Sequence, residues 1–304
     1  MDHALIALLA LLLNLALGGP RALYEASGAA RLARIPAKLL RDREPFFTKE
    51  NQPILLVGYA LAMACAAGLF FHFILRGNIQ FLEIIIVACL LPVRPSLERL
   101  WFIRKALASG DVQAARKQLE GTVWKHHVLL DEHGVARAAA ELVAVTFCER
   151  VLHPLIWYLL LGLPGLFVCR SVTLMKEALP SSFNAEGYIH QLTFGMFKLT
   201  SWVSSRLCAI IWLMASLFVP PSDVVRAGNQ LAATATSAPA LAYAIEAVAA
   251  VLGAALGGPT SAYASQQWLG SGSAKLAPAQ LYRLLIMSGF ALVVMLLLLG
   301  LFAS

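Results

Sequence analysis

Charged residues inside apolar stretches are the residues of this chain best placed to do chemistry. Arg206 lies well within the apolar run 199–219, where an unpaired charge costs at least about 2.5–3.5 kcal/mol on insertion scales. It must therefore face other protein groups and have a partner. The candidate carboxylates are Glu141, Glu149 and Glu246. A structural ion pair and a site for an anionic ligand both remain open.

Three further basic residues accompany these glutamates. Arg137 and Glu141 are four residues apart, so they share one face of a helix, in the weaker orientation for a local ion pair. Lys125 and Arg170 flank the apolar block 155–168. The simpler interpretations are a surface pair for the first two residues and ordinary membrane-border cations for the other two.

Other reactive residue types are not grouped along the chain. His126 and His127 are adjacent, so on a helix their side chains point about 100° apart and do not converge on a metal, and His133 follows nearby. The cysteines form no C-x-x-C pair, which argues against a disulfide framework or a zinc site. The phosphate-loop, serine-hydrolase and zinc-protease motifs of soluble enzymes do not occur. We therefore expect no metal site, and a solvated or headgroup-facing role for the histidines.

The composition requires a lipid environment for the elements that position these residues. Of the 304 residues, 59% are hydrophobic and 13% charged, with a mean hydropathy of +0.72, whereas soluble proteins carry about 25% charged residues. The formal net charge of +7 favours anionic partners, either phospholipid headgroups or a polyanionic small molecule. Nucleic acid is not expected, because no Lys/Arg run with interleaved aromatic residues occurs.

The apolar blocks predict an all-α, polytopic integral membrane protein with about five to six transmembrane helices, in a single membrane domain over residues 1–304. The alanine-rich stretch 239–256 suits close helix packing, so it either spans or lies buried. Gly162, Pro164 and Gly165 interrupt one block, and such a broken helix is tolerated only against protein or a water-filled cavity. The predicted spans are 4–17, 54–75, 79–93, 155–168, 199–219 and 284–302.

Two basic segments set the orientation of these spans. The segment between the first two spans carries seven Lys or Arg residues, and the segment 94–150 carries nine. Cytoplasmic loops are enriched in Lys and Arg, and the two-span hairpin between the segments puts both on one side. We expect a multi-pass protein of a bacterial-type cytoplasmic (inner) membrane, with membrane-apposed amphipathic helices of 94–150 on the cytoplasmic side. Asp111 is the predicted cap of one helix of that layer, and Asp131 with Gly134 precedes a further helix, predicted from Val135 to Val151.

Several segments resemble the CobD/CbiB family, the adenosylcobinamide-phosphate synthases of cobalamin biosynthesis. Residues 130–138, Leu-Asp-Glu-His-Gly-Val-Ala-Arg-Ala, together with Glu141, are close to one family element. The resemblance covers nearly the whole chain and consists of many weak matches kept in register. Further matches are Leu17-Gly-Gly-Pro-Arg, Gly162-Leu-Pro-Gly, Trp202 with Arg206-Leu207, and Glu246 followed by Leu256-Gly-Gly-Pro.

The resemblance implies a reaction and a set of site residues. The family joins aminopropanol phosphate to a carboxyl group of adenosylcobyric acid, which calls for cations that hold anionic groups and usually for Mg²⁺ with carboxylate ligands. Glu141 and Glu246 are the implied catalytic residues. Besides the lipid bilayer, the implied partner is an anionic corrinoid or phosphate-bearing ligand, and an oligomer is compatible with this architecture. The implied binding residues are Arg21, Lys125, Arg137, Arg170 and Arg206.

This chain departs from the family where the polar motif residues stand. The family's Gly-Asp-Pro-Arg reads Gly-Gly-Pro-Arg at 18–21, its Gly-Arg-Asp-Thr reads Trp-Lys-His-His at 124–127, and its paired aspartates read Lys198 and Leu199. Packing residues and Gly-Pro turns remain, while the lost acids weaken the case for Mg²⁺. Two functions follow: a corrin-pathway amide synthase with a degenerate active site, or a non-catalytic membrane regulator, sensor or partner protein on the same scaffold.

The orientation gives a first testable prediction. Reporters of membrane sidedness placed at Lys38 and at Lys117 should report the same side, because both positions lie in the basic segments that flank one hairpin of two spans. Opposite sides would show that residues 54–93 do not cross the membrane twice.

Overall fold

Helices make up nearly all of the chain that the structure describes. The computed structural model describes residues 2–18, 52–75, 80–120, 122, 129–178, 188–220, 222–235, 239–262 and 267–303. The helices are α1 (His3–Leu17), α2 (Gln52–Leu75), α3 (Gln80–Leu90), α4 (Val93–Ala108), α5 (Val112–Lys117), α6 (Glu132–Val145), a π-helix (Thr146–Leu152), α7 (His153–Ala178), α8 (Tyr188–Ser216), α9 (Val224–Thr234), α10 (Ala240–Leu252) and α11 (Pro278–Ala303). Two short strands, β1 (Leu256–Gly257) and β2 (Trp268–Leu269), pair antiparallel.

Four of the described helical stretches are long and apolar enough to cross a membrane. They are Gln80–Ala108, Glu132–Leu174, Phe194–Ser216 and Pro278–Ala303, and shorter apolar helices occupy His3–Leu17, Leu61–Leu75 and Ala240–Leu252. The predicted all-helical fold is therefore confirmed. The number of five to six spans and their sidedness remain predictions.

The chain divides into two compact units, each built from separate stretches of sequence. In the first unit (1–91 and 153–201), α2 packs on α7, and α1 packs on α3 and α7. In the second unit (92–152 and 202–304), α6 packs against α4, α10 and α11, and α9 packs on α10. The side chain of Trp212 is fully buried in the second unit, with its ring centroid 5.2 Å from that of Phe147.

The helix ends of the basic segment follow the capping residues that the sequence predicts. The Asp111 carboxylate accepts a hydrogen bond of 2.9 Å from the Ala114 amide at the start of α5. The Asp131 carboxylate accepts one of 2.7 Å from the Gly134 amide at the start of α6. Each carboxylate satisfies an amide that has no partner within its own helix. The predicted cap at Asp111 is therefore confirmed, and Asp131 caps the helix that it was predicted to precede.

Helix α6 is more buried than an amphipathic surface helix of the predicted cytoplasmic layer would be. From Gly134 to Val145 every side chain except that of Arg137 is buried, and the π-helix that follows is buried throughout. The reason is the run of small residues, five alanines among them, which lets neighbouring helices approach α6 from several sides.

The interruption predicted in the block 155–168 is a real break in α7. Gly162 has φ 66° and ψ −150°, a backbone conformation open to glycine, and the helix resumes after it. Gly68 of α2 lies so close to this break that a Cβ on it would come within 2.5 Å of the Pro164 Cα. Glycine at 68 thus permits the close crossing of α2 and α7.

This crossing can be tested with two glycines of the same helix. Gly68→Ala should destabilise the protein by about 1–3 kcal/mol, because the new methyl group overlaps backbone atoms of Pro164 that cannot move aside. Gly58→Ala is the matched control, since a Cβ there meets no atom within 4 Å, and it should be neutral or stabilise α2 by up to about 1 kcal/mol. Thermal melting in detergent measures both variants. Equal melting temperatures for the two variants would contradict the close crossing.

Candidate functional site

The second unit contains an irregular stretch, 253–277, which we call the hairpin segment; its residues 263–266 lie outside the described part of the chain. Helix α10 ends at Gly253, whose left-handed conformation (φ 63°) turns the chain out of the helix. In the pairing of β1 with β2, Leu256 lies opposite Leu269 and Gly257 opposite Trp268. The backbone N–H and C=O groups of the hairpin segment therefore take no part in helical hydrogen bonding.

Both carboxylate oxygens of Glu141, on α6, accept hydrogen bonds from residues 253–262, the first arm of the hairpin segment. Oε1 accepts a hydrogen bond of 3.0 Å from the Gly257 amide, and Oε2 accepts one of 2.5 Å from the Ser261 hydroxyl. The side chain exposes only 1% of its surface. A buried carboxylate is costly unless it is hydrogen-bonded, and these two donors meet that requirement.

Two further residues of the same helix face bind the second arm of the hairpin segment. Arg137 Nη1 donates a hydrogen bond of 2.7 Å to the Ala274 carbonyl, and the ring of His133 donates from Nδ1 to the Leu276 carbonyl at 2.9 Å, since a carbonyl can only accept. His133, Arg137 and Glu141 follow one another at intervals of four residues and thus line one face. We call these three residues the α6 stripe.

Trp268 lies at the junction of the α6 stripe and the hairpin segment. The Arg137 guanidinium lies 5.4 Å from the centroid of its ring, within the range of a cation–π contact. A Cβ on Gly258 would come within 2.6 Å of the same indole. Glycine at 258 therefore lets the tryptophan lie flat against the turn that follows β1.

Arg206 of α8 is held in a second polar group of this unit. Its guanidinium donates to the Ala235 carbonyl through Nε, at 3.1 Å, and through Nη2, and it donates to the Ser205 hydroxyl at 2.9 Å. The rings of Trp202 and Tyr243 lie on it with centroids 4.6 and 4.7 Å from the guanidinium carbon. The Arg206 guanidinium thus contacts a backbone carbonyl, a hydroxyl and the faces of two aromatic rings. The sequence predicts a carboxylate or an anionic ligand as its partner.

The remaining predicted site residues are distributed over different parts of the chain. Glu246 lies on α10, where it exposes 7% of its surface, and α10 packs on α6, so the two predicted catalytic glutamates stand on neighbouring helices. Arg170 is buried on α7 in the first unit. Arg21 and Lys125 lie outside the described residues, as do His126 and His127.

Comparison with known proteins identifies the family. The family model described as CobD/Cbib protein matches residues 7–288. This chain belongs to the CobD/CbiB family of cobalamin-biosynthesis proteins. No solved structure matches it.

Curated relatives of the CobD/CbiB family are similar at low identity over long stretches. The cobalamin biosynthesis protein CobD of Chromobacterium violaceum is 29% identical over 223 residues, 70% of each chain. The protein of the same name from Rhodobacter capsulatus is 25% identical over 317 aligned residues, covering 100% of this chain and 98% of that protein. The Brucella suis protein of that name is 34% identical over 134 residues, 42% of this chain and 40% of that protein.

The Mg²⁺ that the CobD/CbiB resemblance implies does not fit the described residues. Within them, no three His, Cys, Asp or Glu side chains come together in a way that could hold a metal ion. Glu141, the family acid retained on α6, points its two oxygens at the Gly257 amide and the Ser261 hydroxyl instead.

Sequence reasoning missed several residues that build this site. Ser261, Trp268 and Tyr243 carry no motif of their own, and nothing in the sequence connects them to α6 or α8. The spacing of His133, Arg137 and Glu141 was a usable signal, because residues four apart share a helix face. For His133, hydrogen bonding to the Leu276 carbonyl replaces the solvated or headgroup-facing role that the sequence predicts.

The anchoring of the hairpin segment by Glu141 yields a stability prediction. Glu141→Ala should destabilise the protein by about 2–4 kcal/mol, because the Gly257 amide and the Ser261 hydroxyl lose a charged acceptor in a buried setting. Glu141→Gln should cost less, since its amide oxygen still accepts one of the two bonds. Glu132→Ala, on the exposed first turn of the same helix, should stay within about 0.5 kcal/mol of wild type.

Thermal melting of the purified protein in detergent measures these three variants, and a double-mutant cycle with Ser261→Ala isolates the Glu141–Ser261 pair. If Glu141→Ala melts like Glu132→Ala, the carboxylate does not hold the hairpin segment.

Proposed function

We propose that this protein acts at the cytoplasmic membrane in cobalamin biosynthesis, on the scaffold of the synthase that attaches aminopropanol phosphate to adenosylcobyric acid, with a degenerate active site. The observation that carries the proposal is the bonding of Glu141. Both of its oxygens accept hydrogen bonds from the hairpin segment, so its carboxylate anchors that segment through the Gly257 amide and the Ser261 hydroxyl.

The other retained charges support the same conclusion. Arg137 donates a hydrogen bond to the Ala274 carbonyl in the hairpin segment, and Arg206 donates one to the Ala235 carbonyl at the end of α9. Each side chain therefore stabilises backbone outside a regular helix. The acids that the family carries elsewhere are replaced at Gly19, Lys198 and Leu199. Amide synthesis from a carboxyl group and an amine needs a group that takes the amine proton, and Glu141, one of the two retained family acids, is already engaged with the hairpin segment.

Retained binding of an anion is compatible with loss of the reaction. Arg137 Nε is buried and has no hydrogen-bond partner among the described residues. A buried donor without a partner is costly, and a phosphate or carboxylate oxygen is the acceptor that a guanidinium binds best. We infer that Arg137 contacts an anionic corrinoid or phosphate-bearing ligand, beside the indole of Trp268.

A second function, a non-catalytic membrane regulator or partner of an active synthase, is favoured by the same pattern of kept scaffold and replaced acids. It differs from a weak enzyme in one measurable respect. A regulator changes corrinoid output only when an active synthase is present, whereas a weak enzyme produces some output alone.

Genetic complementation tests the proposed function. In a strain that lacks the amide synthase, this protein should restore less than about 1% of corrinoid synthesis, because loss of a general base alone costs 10²–10⁴-fold. A family member with its acids in place is the positive control, and immunoblots of the membrane fraction must show equal amounts of the two proteins. Full restoration at equal expression would refute the degenerate site.

The double variant Lys198→Asp with Leu199→Asp, which returns the paired family acids, sharpens this experiment. A gain of corrinoid synthesis would locate the defect in the replaced acids. Co-expression of the unaltered protein with an active synthase then separates the two functions, since only a regulator should change the output of that synthase.

A further inference from the structure

Two aromatic rings hold the Arg104 side chain in the second unit. Its guanidinium carbon lies 5.2 Å from the ring centroid of Trp101 and 4.7 Å from that of Tyr282, both within the range of cation–π contacts. Trp101 precedes Arg104 by three residues on the same side of α4. Tyr282 comes from α11, which packs on α4. Rings from two neighbouring helices thus contact one guanidinium and limit its rotation.

The Arg104 guanidinium keeps its hydrogen-bond donors for other partners. Within the described residues it donates no hydrogen bond and joins no ion pair, and its Nε is buried without an acceptor. By contrast, Arg116 donates to the Leu130 carbonyl, and Arg94 pairs with Glu98. An aromatic face attracts the cation but does not use the N–H groups in the guanidinium plane. The side chain of Arg104 is only half-buried, so its outer part is accessible to a ligand.

The chain around this arginine is basic. Lys105, the next residue, is exposed, and Arg283 of α11 is half-buried. In the ranges 99–109 and 275–303, every charged residue is Lys or Arg. The end of α4 and the start of α11 therefore attract an anion.

The position of Arg104 along its helix favours a lipid as the source of that anion. Arg104 lies near the end of the apolar stretch Gln80–Ala108, and Tyr282 lies near the beginning of the apolar stretch Pro278–Ala303. The ends of membrane-length stretches lie at the level of the lipid headgroups, where Trp and Tyr are enriched. Trp101 exposes 41% of its surface there. Under the predicted orientation, this end faces the cytoplasmic leaflet, which carries the anionic lipids.

The exposed side of α11 offers a surface for the acyl chains of such a lipid. Val293 follows Tyr282 by about three helical turns, so the two residues lie on the same side of the helix, and Leu297 lies about one turn further. Val293 exposes 50% of its surface and Leu297 68%. An anion that binds at Arg104 and carries acyl chains can therefore bury apolar surface that a soluble anion leaves exposed.

We propose that Arg104 binds the phosphate of an anionic phospholipid, with its guanidinium held by Trp101 and Tyr282 and with the acyl chains along the exposed side of α11. A guanidinium donates paired hydrogen bonds to phosphate oxygens, and the two rings orient it in advance, so less side-chain freedom is lost on binding. The positive charge of Lys105 favours an anionic headgroup over a zwitterionic one. This site is independent of the anion contact proposed at Arg137.

Native mass spectrometry of the full-length protein in a neutral detergent tests the proposal by counting bound lipid molecules. Single lipids in detergent create no membrane surface potential, so the net charge of the protein contributes little. Dioleoyl phosphatidylglycerol should bind about tenfold more tightly than dioleoyl phosphatidylcholine. Arg104→Gln should weaken phosphatidylglycerol binding about tenfold. Arg104→Lys should recover part of the loss, because it keeps the charge without the paired donors.

Arg226→Gln is the matched control, since it removes an exposed arginine of α9 in the same unit. Its affinity for phosphatidylglycerol should stay within about twofold of wild type. Equal binding by wild type and Arg104→Gln would overturn the proposal, and so would an equal loss in Arg226→Gln. Displacement of the lipid by inorganic phosphate at the same concentration would show a site for soluble anions and would also overturn it.

A photoreactive phosphatidylglycerol, labelled at its headgroup, provides a readout on the unaltered protein and does not depend on the folding of a variant. Its cross-links, located by mass spectrometry of peptides, should fall near Arg104 in α4 and near Tyr282 in α11. Cross-links confined to other segments would overturn the proposal.

Discussion

Backbone N–H and C=O groups that are buried away from water must find partners within the protein, and the second unit depends on how that demand is met along the hairpin segment. Helices satisfy most of these groups by themselves, whereas the described residues of 253–277 use side chains as well. The α6 stripe supplies three such side chains, from Glu141 at the Gly257 amide to His133 at the Leu276 carbonyl. At these points the backbone of an irregular stretch is satisfied by the helix beside it.

The same principle gives other polar side chains of this chain a structural role. Arg206 and Tyr243 each donate to a carbonyl near the end of α9, at Ala235 and at Leu231, and Asn14 donates to the Ala88 carbonyl in the first unit. Removing one of these side chains loses a hydrogen bond, which contributes about 0.5–1.5 kcal/mol in net terms. These residues therefore have a structural reason to be present, independent of any reaction.

Local features of the fold were predictable from the sequence, and distant partnerships were not. Asp111 and Asp131 could be recognised as caps because a cap and its amide are three residues apart, and Gly162 with Pro164 marks a break by residue type alone. Ser261 donates a hydrogen bond to Glu141, which lies 120 positions away in the sequence. Arg206 donates to the backbone carbonyl of Ala235, and a backbone carbonyl is present in every residue, so residue type gives no signal. No pattern in a single sequence distinguishes such partners. The sequence did not predict the burial of α6, because alanine is as common on an exposed helix as on a helix that packs closely against its neighbours.

The break in α7 also ties α2 to one rotational setting. Gly162 turns the backbone with φ 66°, and Gly68 of α2 lies against Pro164 just beyond it, where a Cβ would come within 2.5 Å of the Pro164 Cα. Close helix crossings of this kind depend on small residues that let two backbones approach. A rotation of α2 about its own axis would bring the larger Leu69 to this point in place of Gly68, so the crossing fixes which face of α2 meets α7 as well as how close the two helices lie.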